Sequence, residues 1–197
     1  MSKPLSVGIT GGIGSGKTLI TKLFSLLNVP IYYADDRAKT LMNTLLKDSI
    51  IDLFGEESYF NGKLNRTYIA SKVFSNNSAL TKLNAIVHPA VAIDFDNWLV
   101  ENKEAKYVIK EAALLIESGS YKQLDKLIVV TSPLELRVNR IKSRDSFRSE
   151  KEIKKIISSQ SSEQSKIDLA DYIITNNEEN LLIPQVLEID KKIRQHQ

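Results

Sequence analysis

Residues 8–18 are Gly-Ile-Thr-Gly-Gly-Ile-Gly-Ser-Gly-Lys-Thr, and this stretch holds five of the eight glycines in the chain. It contains the pattern G-x-x-x-x-G-K-[ST], which begins at Gly11 and ends at Thr18. Glycine lets a backbone close tightly around a ligand, and the N–H groups of such a loop can surround phosphate oxygens. The pattern is the signature of a phosphate-binding loop, so we expect it to hold the phosphates of a nucleotide.

The two residues that close the pattern have separate chemical tasks. Lys17 provides a positive charge for the β- and γ-phosphates, and Thr18 provides a hydroxyl for Mg²⁺. The helix expected to begin here points its positive end at the bound anion. The alternative is a glycine-rich turn without a ligand. Such a turn needs one or two glycines and has no use for the Lys-Thr pair that follows them.

Apolar residues on both sides of the loop supply the context that the signature requires. Residues 5–9 are typical of a short buried strand, and residues 19–27 have apolar side chains at helical spacing. Further strands are predicted at residues 29–33, 107–109, 127–130 and 171–175. Because helical segments separate these strands, the sequence predicts an α/β fold with a five-stranded parallel sheet flanked by helices.

The composition is that of a soluble globular protein. The chain has 197 residues, of which 42% are hydrophobic and 26% charged. A net charge of +3 is too small to indicate nucleic-acid binding by itself. The chain has no cysteine, which excludes disulfides and suits a reducing cytosol. We expect no signal peptide, no membrane-spanning segment and a cytoplasmic location.

Residues 36–105 have no strand character and are interpreted as a helical insertion that carries substrate specificity. One predicted amphipathic stripe consists of Ala38, Leu41, Met42, Leu45 and Leu46. Residues 59–64 are predicted to form a turn. Pro89 suits the first turn of a helix, so a long helix is predicted to begin there.

Two acidic positions follow predicted strands. Asp35 and Asp36 come after the second strand, where one of them could cap the next helix, accept a hydroxyl proton or help to hold Mg²⁺. Glu111 follows the third strand, where it could hold or orient Mg²⁺. The alternative for Glu111 is a structural ion pair with Lys110 or with a lysine of the loop.

A basic helix is predicted after the fourth strand, with Ser132 as its N-cap residue. It carries Arg137, Arg140 and Arg144. These arginines could form a solvated basic face, or they could belong to a mobile lid that closes over ATP and stabilises transition-state charge. The last helix is predicted to begin at residues 176–179.

Taken together, these residues resemble the dephospho-coenzyme A kinase family over nearly the whole chain. Besides the phosphate loop, the segments that carry the resemblance are Ala34-Asp35, residues 83–89 with His88-Pro89, residues 114–117, Arg140, Arg144-Asp145, Gln160, Ala170-Asp171 and Asn176. The chain departs from the family pattern at four places. These are Tyr33, where many relatives have an additional Asp, Lys110-Glu111, where an apolar residue and Asp are common, Ala113, which replaces a frequent Pro, and Ser161-Ser162-Glu163, which differs from the usual lid sequence.

The resemblance implies a fold, a reaction and a set of site residues. The fold is that of phosphate-loop nucleoside triphosphatases (P-loop NTPases), with a nucleotide-binding core (1–35, 106–140 and 167–197), a helical substrate domain (36–105) and a lid (141–166). The reaction is transfer of the ATP γ-phosphoryl group to the ribose 3′-hydroxyl of dephospho-coenzyme A. The implied catalytic residues are Lys17, Asp35 and Arg140. The implied ATP-binding residues are Gly12, Gly14, Ser15, Gly16, Lys17, Thr18, Leu19 and Arg144. The implied substrate-binding residues are Arg66, His88, Leu115 and Glu117, and the implied Mg²⁺ ligands are Thr18 and Glu111.

ATP and dephospho-coenzyme A are thus the expected partners of a monomer that binds neither nucleic acid nor membrane. Two other functions remain open from the sequence. One is a phosphate-loop kinase for a nucleotide or another metabolite, which the long insertion and the His-Pro segment disfavour. The other is a nucleotide-dependent switch. A GTPase would carry an Asn-Lys-x-Asp motif near the last strand, whereas this chain has Thr-Asn-Asn-Glu at residues 175–178.

Overall fold

The computed structural model describes residues 3–74 and 76–195. The chain forms two compact units, of which the smaller comprises residues 34–101 and the larger the rest of the described chain. The elements of the larger unit are β1 (Leu5–Thr10), α1 (Lys17–Leu26), β2 (Ile31–Tyr33), β5 (Tyr107–Glu111), β6 (Lys126–Thr131), α6 (Leu134–Arg144), α7 (Glu150–Ser158), α8 (Glu163–Ile167), β7 (Tyr172–Thr175) and α9 (Leu182–Gln195). Those of the smaller unit are α2 (Ala34–Asn43), α3 (Lys47–Phe54), β3 (Tyr59–Phe60), β4 (Lys63–Leu64), α4 (Arg66–Val73) and α5 (Asn77–Glu101).

The larger unit is built on a parallel sheet with the strand order β2-β5-β1-β6-β7. The register pairs Ile9 with Glu111, Glu111 with Tyr33, and Thr131 with Thr175. The carboxyl ends of the strands therefore meet at one edge, which is where open α/β sheets bind ligands. The phosphate loop leaves β1 at this edge. The predicted five-stranded parallel sheet is confirmed.

The core of the larger unit lies between the sheet and the helices α1 and α9. β1, β5 and β6 are buried along almost their whole length, as expected for parallel strands that are covered on both faces. The buried apolar residues are Val7, Ile9, Ile20, Phe24, Val29, Tyr107, Ile109, Ile128, Val130, Ile174, Val186, Ile189 and Ile193. This packing fixes the strand ends from which the site residues project.

The smaller unit has its own apolar core, contributed by α2 to α5. Its buried members are Leu41, Leu46, Ile50, Ile69, Leu83 and Val87. The prediction that Leu45 belongs to the buried stripe is wrong, because Leu45 is 73% exposed. α2 ends at Asn43, so Leu45 lies in the connection to α3 and not on the buried face of the helix.

One further prediction for this unit is confirmed and one is wrong. The predicted turn lies at residues 61–62, between β3 and β4, which pair as a short antiparallel hairpin with Tyr59 opposite Leu64. Pro89 does not begin a helix, because it lies inside the 25-residue helix α5. Proline lacks one N–H group and usually disrupts a helix interior. Here α5 has buried residues on both sides of Pro89, namely Leu83 and Val87 before it and Phe95 and Leu99 after it. Packing therefore holds both halves of the helix.

Two helix starts in the larger unit also differ from the prediction. α6 begins at Leu134 with Pro133 as its N-cap residue, and Ser132 makes no cap hydrogen bond to it. α9 begins at Leu182 and not at residues 176–179. The side chain of Asn177 accepts hydrogen bonds from the N–H groups of Glu179 and Asn180, and such a local turn competes with helix formation.

Candidate active site

The phosphate loop spans the gap between β1 and α1 and closes on itself. The N–H group of Ser15 donates to the carbonyl oxygen of Gly12 over 3.1 Å. Gly16 ends the loop with φ 99°, and a Cβ atom at Gly16 would lie 2.2 Å from Nδ2 of Asn176. Both the backbone angle and the space therefore require glycine at this position.

Lys17 is the first residue of α1, so its charge adds to the positive end of the helix. Its Nζ donates to the carbonyl oxygens of Gly11 at 2.9 Å and of Gly12 at 3.3 Å. The ammonium group thus lies over the loop, where a phosphate could compete for it. Thr18 and Leu19 are exposed, whereas Ser15 is buried and its Oγ has no hydrogen-bond partner among the described residues.

Arg140 is held at the carboxyl edge of the sheet. Its guanidinium donates to Oγ of Ser132 over 3.0 Å, to Oδ1 of Asn176 over 3.2 Å and to Oε1 of Glu178 over 3.1 Å. Asn176 is buried and donates from Nδ2 to the carbonyl oxygen of Ser15 over 2.8 Å. A continuous chain of hydrogen bonds therefore runs from Arg140 through Asn176 to the phosphate loop.

The other two arginines of α6 have different environments. Arg137 is only 7% exposed and donates from Nε to the carbonyl oxygen of Ile13 over 3.0 Å. Burial lowers the pKa of Arg137, and Glu163 only partly offsets this. Arg144 is exposed and forms a bidentate ion pair with Asp145, in which Nε donates to Oδ1 and Nη2 donates to Oδ2. The interpretation of α6 as a uniformly solvated basic face is therefore wrong for Arg137.

The segment after β5 contains two of the predicted substrate residues. Leu115 is 1% exposed. It packs against β1 at Gly8, where an added Cβ atom would lie 3.0 Å from Cδ1 of Leu115. Oε1 of Glu117 accepts from Nζ of Lys166 over 2.7 Å and from the N–H group of Ser161 over 2.9 Å. Burial would raise the pKa of Glu117, but these hydrogen bonds lower it overall.

Thr18 and Glu111 are the two residues predicted to bind a metal ion. Glu111 is the last residue of β5 and pairs in register with Ile9, two residues before the loop begins at Gly11. A carboxylate and a hydroxyl are hard oxygen ligands that suit Mg²⁺. Within the described parts of the chain, no three His, Cys, Asp or Glu side chains form a metal-binding group. Mg²⁺ usually keeps several waters and binds through one or two protein groups together with substrate phosphates, and a carboxylate and a hydroxyl are groups of that kind.

The remaining predicted residues lie in the smaller unit. Asp35 and Asp36 are exposed in the first turn of α2, directly after β2, and Asp36 pairs with Lys39. Both lie inside the helix, so neither is its cap. Arg66 is exposed and is the first residue of α4, whose N-cap is Asn65. His88 is exposed in α5.

The sequence placed Arg137 among the possible lid arginines and Asn176 among the residues that match the family, but it assigned neither a contact with the phosphate loop. Asn176 directly follows β7 at the edge where ligands bind. The contact of Arg137 with the loop had no signal in the sequence. This contact, with Ile13, joins residues that are 124 positions apart in the sequence.

This site and its parallel sheet define an α/β protein with the fold of the phosphate-loop nucleoside triphosphatases. A family model described as dephospho-CoA kinase matches residues 5–181. The chain belongs to the dephospho-CoA kinase family. The family predicted from the sequence is therefore confirmed.

Individual relatives agree with this assignment. The dephospho-CoA kinase of Bacteroides fragilis is 38% identical over 187 residues, which cover 94% of this chain and 91% of that protein. A crystal structure of a Thermus thermophilus protein has a TM-score of 0.88 at 30% identity and covers 97% of this chain and 98% of that one. The structure of dephospho-CoA kinase from Campylobacter jejuni has a TM-score of 0.71 at 27% identity, with the same coverage.

Proposed function

We propose that this chain transfers the γ-phosphoryl group of ATP to the ribose 3′-hydroxyl of dephospho-coenzyme A, with coenzyme A and ADP as products. This reaction is the last step of coenzyme A biosynthesis and is the activity of the family to which the chain belongs. The observation that carries the proposal is the family's phosphate loop at the carboxyl edge of a parallel sheet. Phosphoryl transfer depends mainly on positioning and electrostatic stabilisation, and the proposed roles below follow from that.

The phosphate loop is proposed to hold the β- and γ-phosphates of ATP. Backbone N–H groups of the loop, including those of Gly12, Gly14, Ser15 and Gly16 and of Thr18 and Leu19 in the first turn of α1, would surround the oxygens. Lys17 would exchange its carbonyl partners for phosphate oxygens and neutralise the charge that develops during transfer. Loop carbonyls at about 3 Å are neutral acceptors, so an anionic phosphate is the stronger partner for an ammonium group.

Thr18 and Glu111 are proposed to hold or orient Mg²⁺. When bound, Mg²⁺ would offset the negative charge of the β- and γ-phosphates. The hydroxyl of Thr18 lies in the first turn of α1, immediately after Lys17. Glu111 lies at the end of the neighbouring strand β5. Their part is to fix the position of the triphosphate relative to the loop.

Asp35 is proposed as the base that accepts the proton of the 3′-hydroxyl group. The support is its exposed carboxylate two residues after β2 and its match to the family motif. A carboxylate near the acceptor hydroxyl raises the nucleophilicity of that oxygen as the bond to phosphorus forms. Tyr33 occupies the position at which many relatives have a second Asp, so Asp35 would act alone.

Two arginines of α6 are proposed to complete the charge stabilisation. Arg140 is supported by its place at the sheet edge, where Ser132 and Asn176 orient its guanidinium. A planar guanidinium offers paired donors to phosphate oxygens. Arg144 is exposed and would contact ATP from the segment 141–166, for which we propose the role of a lid.

Arg66 and His88, in the smaller unit, are proposed to bind the acceptor substrate. Arg66 and His88 are exposed, and Arg66 suits the substrate's phosphate groups. Leu115 and Glu117, in the larger unit, match the substrate-binding motif of the family. Because both are engaged within the fold, we propose that they support the segment 114–117 and do not contact the substrate directly. The variants Arg66→Ala and His88→Ala should raise the KM for dephospho-coenzyme A. The control Lys82→Ala, which changes an exposed residue of α5, should leave this KM unchanged.

We also propose that the chain acts as a cytoplasmic monomer without nucleic-acid or membrane partners. No helix within residues 3–74 and 76–195 is both long and apolar enough to cross a membrane. The small net charge of +3 gives no strong general attraction to nucleic acid. Light scattering coupled to size exclusion should give a mass of about 22 kDa, and a doubled mass would contradict the monomer.

The experiment that tests the function is ADP release from Mg·ATP with and without dephospho-coenzyme A, with mass spectrometry of the acceptor. Acceptor-dependent release and a product with one added phosphate on the 3′ position support the proposal. ADP release at the same rate with and without the acceptor would instead indicate a nucleotide-dependent switch. Transfer only to another acceptor from a panel of hydroxyl compounds would indicate a different kinase.

Two variants with matched controls test the roles. Lys17→Ala should lower turnover by at least about a hundredfold, whereas Lys22→Ala on the exposed face of α1 should not. Asp35→Asn should lower turnover far more than it weakens ATP binding, whereas Asp36→Asn should retain activity. Normal turnover of Asp35→Asn would reject its role as the base.

A further inference from the structure

Ile13 lies between Gly12 and Gly14 in the phosphate loop, and side chains from other segments hold both of its backbone groups. Its N–H group donates to Oε1 of Gln160 over 2.9 Å. Its carbonyl oxygen accepts from Nε of Arg137 over 3.0 Å. Gln160 lies between α7 and α8, and Arg137 lies on α6. One side chain from α6 and one from the connection between α7 and α8 therefore hold the backbone of Ile13.

The loop is shaped to receive Arg137. A Cβ atom at Gly12 would lie 2.3 Å from Nη2 and 2.4 Å from Cζ of Arg137. A side chain at Gly12 would thus exclude the guanidinium from its position against the loop. Glycine at this position serves the close approach of Arg137 as well as the approach of a phosphate.

The segment that carries Gln160 is itself anchored. The N–H group of Ser161 donates to Oε1 of Glu117, and Lys166, whose side chain is 2% exposed, donates to the same carboxylate oxygen and to the carbonyl oxygen of Ser161. Gln160 is held between this anchor and the loop. The anchored segment around Gln160 therefore holds the N–H group of Ile13 in place through Oε1 of Gln160.

We infer that Gln160 is a positioning residue of the phosphate loop, which together with Arg137 fixes the peptide groups on both sides of Ile13 before ATP binds. The inference rests on the proposed function and deepens it. A preorganised loop loses less conformational freedom when the nucleotide binds. The bond is made equally in the bound ground state and in the transition state, so its loss raises the KM for ATP and leaves kcat unchanged.

The test uses Gln160→Met, which keeps the length of the side chain and removes the acceptor oxygen, and Gln160→Glu, which keeps an acceptor oxygen. The control is Gln164→Ala, since Gln164 lies on α8 and bonds to Asp168. Hydrogen exchange of the Ile13 N–H group is measured by NMR without nucleotide or acceptor. Gln160→Met should accelerate exchange about fivefold, the equivalent of one lost hydrogen bond. Gln160→Glu and Gln164→Ala should keep the slow wild-type exchange.

Kinetics provide the second measurement. Gln160→Met should raise the KM for ATP about fivefold with kcat within about twofold of wild type, and Gln164→Ala should match wild type. Unchanged exchange in Gln160→Met, or a lower kcat at unchanged KM, would overturn the inference. Because exchange is measured without substrates, it is independent of phosphoryl transfer. A wild-type chain with protected Ile13 and no transfer would reject the proposed function alone.

Discussion

Asn176 donates a hydrogen bond from its side-chain amide to the carbonyl oxygen of Ser15 over 2.8 Å, although the two residues are 161 positions apart. The bond ties the end of β7 to the last part of the phosphate loop. Asn176→Ala should lower the free energy of unfolding by about 2 kcal/mol, because it leaves a buried carbonyl without its donor. Chemical denaturation measures this loss.

The same variant should also raise the KM for ATP, since Asn176 supports both the loop and Arg140. Asn180→Ala is the control, because the side chain of Asn180 is exposed in the same connection before α9. Equal stability of Asn176→Ala and the control would contradict a supporting role for Asn176.

Arg140 should tolerate even a conservative exchange poorly. Arg140→Lys keeps the positive charge but cannot contact Ser132, Asn176 and a phosphate through one planar group. We expect kcat to fall about a hundredfold, as when a donor to transition-state charge is removed. Steady-state kinetics with saturating ATP measure the effect. Arg148→Lys should retain wild-type kcat, and an equally active Arg140→Lys would exclude Arg140 from the transition state.

The ion pair between Glu117 and Lys166 should be strongly coupled. Removing one partner strands a buried charge, so Glu117→Leu and Lys166→Met should each lower the unfolding free energy by about 3 kcal/mol. The double variant should lose much less than the sum of the two. Additive losses would show that the two side chains act independently.

The pH dependence of this pair follows from the direction of the pKa shift. The pKa of Glu117 is below its ordinary value of 4.5 in the folded chain. Its contribution to stability is therefore complete above that value and disappears as the pH falls through the lowered pKa. Between pH 5 and pH 3, the wild type should lose more stability than Glu117→Leu, as measured by urea denaturation at each pH.

Tyr107 should affect stability at alkaline pH. Its hydroxyl donates to Oδ1 of Asp190 over 2.6 Å, and burial together with this bond raises the pKa of Tyr107 well above its ordinary value of 10.0. The neutral phenol therefore stabilises the fold fully below pH 10, and the contribution is lost as the pH rises beyond it.

Tyr107→Phe should cost about 1 kcal/mol at neutral pH and should show a shallower loss of stability above pH 10 than the wild type. Thermal unfolding at a series of pH values measures both effects. Tyr121→Phe is the control. Parallel stability curves for Tyr107→Phe and the wild type above pH 10 would contradict the role of the phenol.

Local sequence determined the parts of this protein that depend on short-range pattern. The glycines and Lys17 of residues 8–18 predicted the phosphate loop, because backbone freedom and helix-end charge are properties of neighbouring residues. Apolar runs predicted all five strands of the parallel sheet, because strands covered on both faces need continuous hydrophobic residues. The resemblance of the same segments predicted the family.

The tertiary structure alone decided which side chains hold the loop and where several helices begin. Ile13 meets Gln160 and Arg137, and Ser15 meets Asn176, across more than a hundred positions of sequence, which no local pattern encodes. Pro89 lies within a helix because packing on both sides of it outweighs its local cost. Local patterns specify what a segment can form, whereas burial and hydrogen bonding between distant segments select its partners.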